Sequence, residues 1–415
     1  MKIAVIGGGI SGLTAAFHLA PAHETWLFER DGRLGGHAHT HEVVRHGRRW
    51  PVDTGFMVFN TRTYPHFVRL LDTLGVGSRP TDMSFSVRCR RCGLEYSSAG
   101  LAGLFADRRL LRSTEHLGLL LDVLRFFRAA RRALADGTAA ALTLGQFLDA
   151  HRFGDGLRRH FVLPMGGAIW SAAAGAIEAF PAASYLRFLD NHGLLAATGQ
   201  PVWRTIEGGS RVYVERIRER LRERVVVGRA VTGITRSAHA VTIDLQGGPA
   251  VTADAVVIAT HADDALALLA DPDDDERAAL GAFRYSTNRA VLHDDLRQLP
   301  DRPAARASWN VALDDCRDDV APVTVTYDLA RLQGLEGAGP LLCTLNGSRP
   351  AGAPLACMRY THPILDHAAL AAQAAVAALN GRRRTWYCGA HLRYGFHEDG
   401  VQSALAVVRG LGVPA

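Results

Sequence analysis

Lysine is almost missing from this 415-residue chain: Lys2 stands alone among 47 basic residues, and the rest are arginine. A guanidinium stays protonated and cannot serve as a tunable amine, so chemistry that needs a buried lysine beyond the first strand is excluded. Cysteine is scarce as well. The six thiols at 89, 92, 316, 343, 357 and 388 are scattered, which does not suit a disulfide-stapled secreted scaffold, and Cys89 with Cys92 makes the only C-x-x-C pair. With no second pair and no histidine near it in sequence, that pair reads as reduced thiols and not as zinc ligands. No apolar run approaches the roughly 18 residues of a membrane helix. The apolar first twenty residues are broken by Gly7, Gly8, Gly9 and Gly12 and do not read as a cleavable leader. A cytoplasmic protein is expected. The net charge of +6 comes from arginines spread over many segments, so no nucleic-acid partner is expected.

What is present begins at the first strand. "KIAVIGGGISGLTAAFHL" reads as a buried strand, Ile3 to Ile6, a glycine turn, and a helix whose Ala15 and Ala16 permit close packing. Gly7, Gly9 and Gly12 form G-x-G-x-x-G in the strand, turn and helix context of a dinucleotide-binding fingerprint, with Ile10 and Ser11 opening the helix. Bare glycines let a pyrophosphate approach backbone N–H groups at the positive end of a helix. "TWLFER" gives a second strand ending at Glu29, about twenty residues past Gly9, where a carboxylate accepts hydrogen bonds from ribose hydroxyls. Arg30 stands beside it. These residues fit NAD and FAD alike.

"GRLGG" follows at once, and its Arg33, Gly35 and Gly36 resemble the R-x-G-G segment of FAD enzymes in the flavin amine oxidase and phytoene desaturase superfamily. The resemblance implies FAD, with this segment at the pyrophosphate. In "RLGGHAHTHEV", His37, His39 and His41 share one face of a strand, and imidazole is a competent metal ligand. No carboxylate or cysteine stands at ligand spacing, so no metal is expected. His37 is assigned to the FAD phosphates or linker, His39 and His41 to a strand edge. "WPVDTGFMVFN" resembles the superfamily segment that lies along the flavin ring, which places Thr54, Gly55, Phe56 and Met57 at the cofactor, and the backbone at Val231 is implied to meet the adenine.

The closing "TWYCGAHLRYGFHEDGVQSALAVVRGL" reads as a strand meeting Gly389, a loop, and a helix with Asp399 as N-cap and Gly400 just inside. In the superfamily that helix aims its N-terminus at the flavin N1–C2 edge, where its partial positive charge favours the anionic reduced ring. The N–H of Val401 is the expected contact. Covalent-flavin relatives carry Cys in an S-G-G-C setting; Cys388 in "WYCGA" departs from it, so FAD is expected to be non-covalent.

The expected fold is α/β: a glutathione-reductase-like Rossmann domain with a mixed-sheet and helical substrate domain. The FAD-binding segments are 1–60, 205–280 and 371–415, and the substrate segments are 61–204 and 281–370. Within these, "LLRSTEHLGLLLDVLRFFRAARRAL" places Leu117, Leu120, Leu121, Leu124, Phe127 and Ala130 at helical spacing beside Arg125, Arg128, Arg131 and Arg132. Such a helix suits either a domain face or peripheral contact with the inner face of a membrane. "RVYVERIRERLRER" interleaves Glu and Arg as a salt-bridged helix face, and "DPDDDER" reads as an acidic exit loop.

"GGHAHT", "VDTGFMVFN", "DMSFSV", "LEY", "AIWS", "SWN", "YTHP" and "GFHEDG" together resemble a bacterial family of amine-oxidase-like NAD/FAD-binding proteins associated with cyclopropane-type fatty-acyl methyltransferases. That resemblance implies flavin-dependent dehydrogenation or desaturation of a hydrophobic, fatty-acyl substrate, with hydride delivered to flavin N5. Amine oxidation and a non-catalytic flavin- or lipid-binding role are the alternatives. The lysine that amine oxidases use near N5 has no counterpart here. His397 and Glu398 are the candidate bases, and Asn60, Tyr64, Met165, Trp170 and Trp309 the candidate pocket lining. Oligomeric state is left open.

Overall fold

A computed structural model describes residues 1–196 and 199–414. Five strands, Lys2–Ile6, Glu24–Glu29, Val225–Val227, Ala255–Ile258 and Thr385–Tyr387, form a parallel sheet in the spatial order third, second, first, fourth, fifth. The apolar runs KIAVI and AVVI are buried on both faces, as a covered parallel sheet requires. One face packs against the first helix, Ile10–Leu19, and the last, His397–Gly410. The other is covered by a three-stranded antiparallel sheet and by the helices Asp274–Gly281 and His367–Leu379. The sheet is thus the expected Rossmann arrangement, with strands drawn from both ends of the chain.

A second, seven-stranded mixed sheet runs from Ala356–Ile364 through Arg284–His293, Leu342–Leu345, Thr324–Asp328, Trp309–Leu313 and Phe85–Cys89 to Glu95–Ser97. The helices Thr114–Asp136, Leu144–Ala150, Leu163–Trp170 and Ala182–Asn191 share its core, where Phe126 meets Phe147, Phe153 and Phe161 edge to face.

Several local readings need correction. The boundary expected after residue 204 falls inside the strand Trp203–Ile206, and the one after 370 falls inside the helix His367–Leu379. On the long helix, Leu119, Phe126, Phe127, Ala130 and Ala133 point inward, while Leu117, Leu121 and Leu124 are exposed, so half of the expected stripe faces outward. "DPDDDER" is no exit loop: Asp273 caps a helix and Glu276 closes its capping box. The expectation that Cys89 and Cys92 lack ligand partners also fails, because the fold brings His160 and Cys316 beside them.

Candidate active site

A cavity of about 1010 Å³ runs from the carboxyl ends of the parallel strands to the wall of the mixed sheet. At the Rossmann end it is lined by Gly7, Gly9, Ile10, Ser11, Glu29 and Arg30. Each glycine has its own physical reason. Gly7 takes φ +104° where a Cβ would strike the carbonyl of Ala259, whereas a Cβ at Gly9 would meet nothing within 4 Å. Open space there, at the N-cap of the first helix, is a cradle in which a phosphate reaches backbone amides. Gly12 does not line the cavity; a Cβ there would lie 1.8 Å from the carbonyl oxygen of Gly7, so its task is close helix-to-strand packing. The Glu29 carboxylate accepts the Gly8 N–H at 2.7 Å and the Asp31 N–H at 2.8 Å.

The next loop is clamped between two segments. The Gly35 N–H donates to the Gly8 carbonyl at 2.8 Å, and the Phe56 N–H donates to the His37 carbonyl at 2.7 Å. A Cβ on Gly55 would come within 2.2 Å of that same His37 oxygen, so only glycine fits there. Arg33 lines the cavity and folds the loop over itself by donating to the carbonyls of Gly36, Leu34 and Ala38. Gly36, His37, Thr54, Gly55, Phe56, Met57, Val231 and Gly389 also line the cavity; Gly35 supports the turn from behind at φ +109°. The Nε2 of His37 is buried without a partner. Burial holds its imidazole well below the usual histidine range, so it sits neutral at the wall. His39 lies before the strand Thr40–Arg45 and also faces the cavity, so it is not an edge residue. No candidate metal cluster among the described residues contains His37, His39 or His41.

The closing helix begins at His397, earlier than its sequence suggests. Asp399 is therefore not the N-cap; from the first turn its Oδ2 accepts the Phe396 N–H at 2.9 Å. The amides of the first turn, which lack intrahelical acceptors, belong to His397, Glu398 and Asp399, while Val401 is already inside the i→i−4 ladder. That displaces Val401 as the expected flavin contact. A Cβ on Gly400 would meet Ile10 and Ser11 at 2.8 Å, so Gly400 serves the crossing of the first and last helices.

The two expected bases part company. His397 lines the cavity, stacks on Phe56 with ring centroids 3.5 Å apart, and has its Nε2 3.1 Å from the Tyr213 hydroxyl. Burial pushes it down to about 3. Glu398 does not line the cavity. One of its oxygens accepts from the Phe67 N–H at 2.9 Å, and the other meets His66 Nδ1 at 2.6 Å and the Gln402 amide at 2.8 Å. It caps the helix Pro65–Leu74 from outside the cavity, out of reach of a substrate proton.

Of the expected lining, Tyr64, Met165, Trp170 and Trp309 face the cavity. Asn60 does not: its Oδ1 accepts the amides of Arg62 and Thr63 and caps a turn. The expected set missed Tyr360 and His362. The Tyr360 hydroxyl lies 2.7 Å from Thr54 Oγ1 and 3.1 Å from His39 Nδ1, and His362, pushed by burial down to about 4, receives the Asn288 amide at 2.9 Å. The alternation of Met358, Tyr360 and His362 in "ACMRYTHPI" carried that signal, since every second residue of a strand shares a face. Met83, Phe85, Ile169, Phe188 and Tyr327 complete an apolar chamber.

Comparisons with known proteins agree with this geometry. The family model described as flavin containing amine oxidoreductase matches residues 10–293. A coproporphyrinogen III oxidase of Mycobacterium leprae (strain TN) is 27% identical over 286 residues, covering 62% of this chain and 59% of that protein. The one of Mycobacterium tuberculosis (strain ATCC 25618 / H37Rv) is 28% identical over 260 residues, covering 55% and 52%. The chain thus spans little more than half the length of the curated relatives it matches. Among solved structures, a CLA-producing fatty acid isomerase from P. acnes superposes with a TM-score of 0.71 at 18% identity, covering 99% of this chain and 98% of that one. Wild-type putrescine oxidase bound to putrescine gives 0.69 at 13% identity, covering 99% of each chain. Cyclohexylamine oxidase from Brevibacterium oxydans IH-35A gives 0.66 at 16%, again covering 99% of each. At these identities the likeness is one of fold.

Proposed function

We propose that this chain, which belongs to the family of flavin-containing amine oxidoreductases, is an FAD-dependent oxidoreductase that dehydrogenates or desaturates a hydrophobic, fatty-acyl substrate. The observation that carries this reading is the composition of the chamber. Its carboxylates are Glu29, Asp31 and Asp264, all at the Rossmann end, and the substrate half is built from Met83, Phe85, Met165, Ile169, Trp170 and Phe188. An acyl chain is at home there. A cationic amine would be desolvated without a counter-charge, at a cost of several kcal/mol. Lys2, on the first strand and outside the cavity lining, cannot hold a water for amine chemistry.

FAD supplies the two-electron acceptor when bound. Gly7, Gly9, Ile10, Ser11, Glu29, Arg30, Arg33, Gly36 and His37 would hold its adenosine and pyrophosphate, and Thr54 to Met57 with the helix start at His397 would hold its ring. Cys388, in the hydrophobic core and outside the cavity, supports non-covalent binding. The neutral imidazoles of His37, His362 and His397 exclude water and orient substrate; none is poised to take a proton at neutral pH.

A hydrophobic substrate is delivered most simply from a lipid surface. Leu101, Leu111, Leu117, Leu121 and Leu124 are exposed beside Arg109, Arg112, Arg125 and Arg128, and that combination supports peripheral contact with an anionic membrane. The test of function is an anaerobic absorbance spectrum of the purified holoenzyme titrated with membrane lipids or fatty-acyl esters, and separately with primary and secondary amines. Bleaching of the oxidised flavin band by lipid is expected. Bleaching by amines alone would overturn the lipid reading, and no bleaching by either would favour a non-catalytic flavin-binding role.

A further inference from the structure

Outside the cleft, four side chains with metal-binding chemistry meet. The ligand atoms of Cys89, Cys92, His160 and Cys316 all lie within 4.8 Å of one another, and Cys92 Sγ is 3.4 Å from His160 Nε2. None of the four lines the cavity. They arrive on separate elements. Cys89 ends the strand Phe85–Cys89, Cys92 stands in the tight turn beyond it, His160 sits in the π-helical segment Arg158–Val162, and Cys316 follows the strand Trp309–Leu313.

The backbone is arranged around the sulfurs. Gly93, at φ +71°, donates its N–H to the Cys89 carbonyl at 3.0 Å, and the Cys89 N–H donates to the Leu94 carbonyl at 2.9 Å, which closes a knuckle. Parallel pairing from Phe85↔Trp309 to Cys89↔Leu313, extended by Arg90 N–H to the Leu313 carbonyl at 2.9 Å, delivers Cys316 to the knuckle. The Tyr96 hydroxyl donates to the His160 carbonyl at 2.7 Å and holds the fourth segment in place.

We propose that Cys89, Cys92, His160 and Cys316 bind one structural Zn²⁺ as a Cys₃His site. Zinc bonds of about 2.3 Å to sulfur and about 2.0–2.1 Å to nitrogen place the donors of a tetrahedron roughly 3.5–3.8 Å apart; the Cys92–His160 separation of 3.4 Å is close to that, and the 4.8 Å limit on the other pairs admits it. Three soft thiolates with one imidazole select zinc over hard cations. Four protein ligands leave no open position, so the ion is structural and not catalytic. Its binding releases the three thiol protons. A Cys89–Cys92 disulfide would leave the convergence of His160 and Cys316 without a reason.

The site ties together the far ends of three elements whose near ends form the chamber wall. Phe85 lies on the same strand as Cys89, Trp309 on the strand before Cys316, and Met165 and Trp170 on the helix that continues from His160. The metal therefore sets the spacing of that wall.

The experiment is metal analysis of holoenzyme produced with zinc in the medium and purified without chelator, followed by cobalt exchange. One zinc per chain is expected. The cobalt form should show the intense red d–d bands and near-ultraviolet thiolate charge-transfer band of a tetrahedral thiolate site. Cys316→Ser and His160→Ala should lose zinc, and Cys357→Ser should keep it. If those variants do not fold, the cobalt spectrum of the unaltered protein decides alone. Wild-type protein that is free of zinc and, with its thiols reduced, takes up no cobalt overturns the proposal; so does a stoichiometric Cys89–Cys92 disulfide or stoichiometric iron at the site.

Discussion

Burial decides what the titratable side chains at the end of the cleft can do. His397 stands where a base would be wanted, yet burial pushes it down to about 3, and its Nε2 lies 3.1 Å from the Tyr213 hydroxyl. His397→Phe is therefore expected to keep flavin reduction by the true substrate within about tenfold and to leave its pH profile unchanged, the lost hydrogen bond costing about 1 kcal/mol. A loss of about a hundredfold or more with an altered profile would restore His397 as a base. Asp399 is shifted the other way, up to about 7, first by burial and despite the Phe396 N–H it accepts. An acid whose folded pKa lies above its unfolded value favours the folded state when protonated, so stability should fall as pH rises from the unfolded value near 4 through about 7. Asp399→Asn keeps an oxygen for Phe396, carries no charge, and should flatten that dependence in thermal melts taken across this range; an unchanged slope would assign it to another group. Glycines were the residues most legible in the sequence, because each answers a backbone constraint that local spacing reveals. Glu398 was not legible as a cap for the helix Pro65–Leu74, since its partners stand more than three hundred positions away.

Elements show the same division between local and long-range causes. The acidic "DDDER" segment becomes a helix start because Asp273 and Glu276 complete a capping box, and it is anchored by Arg236, Arg382 and Arg383. Arg236 forms a two-pronged, fully buried pair with Glu276, which also accepts the Tyr387 hydroxyl at 2.8 Å. These bonds hold Glu276 down at about 2 in spite of burial. Its contribution is complete above the unfolded value near 4.5 and is lost as pH falls toward 2. Arg236→Met leaves a buried carboxylate unpaired and is expected to cost about 3–5 kcal/mol in chemical denaturation; a cost under about 1 kcal/mol would mean that water reaches the pair. The helix Thr114–Asp136 was legible as a helix but not in its phase, because its apolar residues exceed the face that Phe147, Phe153 and Phe161 can cover. The surplus, Leu117, Leu121 and Leu124, is exposed. Leu121→Glu with Leu124→Glu should weaken binding to anionic vesicles by at least about tenfold, given about 1.5–3 kcal/mol for each leucine buried in lipid, and should leave thermal stability unchanged. Equal sedimentation of both proteins with vesicles would remove the membrane role from this helix.

At the scale of the molecule, the dinucleotide end of the cleft is assembled from segments that are remote in the chain: Gly7 to Ser11, Arg33 to Met57, Val231 with Thr232, Ala259 to His261, and Gly389 to His397. The sequence made the first, second and last of these legible, because each carries a glycine pattern that a nucleotide or a turn demands. Of the wall supplied by Met358, Tyr360 and His362 it showed only the alternation of a strand; where that strand lies depends on nine register pairs with the strand Arg284–His293. The same limit hid the partners of Cys89, which a parallel pairing across more than two hundred residues brings in. A ligand gripped by all these segments couples them, since whatever binds only the folded arrangement stabilises it by about 2.7 kcal/mol at a hundredfold excess over its dissociation constant. Hydrogen exchange of the protein with and without FAD tests that coupling directly. If the closing helix meets the ring with its N-terminus, the amides of His397, Glu398 and Asp399 should slow on FAD binding together with those of Gly8 to Ser11 and Thr54 to Met57, although they lie at opposite ends of the chain. Protection confined to residues before 60 would mean that the cofactor is held by its adenosine and pyrophosphate alone. The helix His397–Gly410 would then be a packing element for the first helix, and Gly400, pressed against Ile10 and Ser11, would be its main requirement.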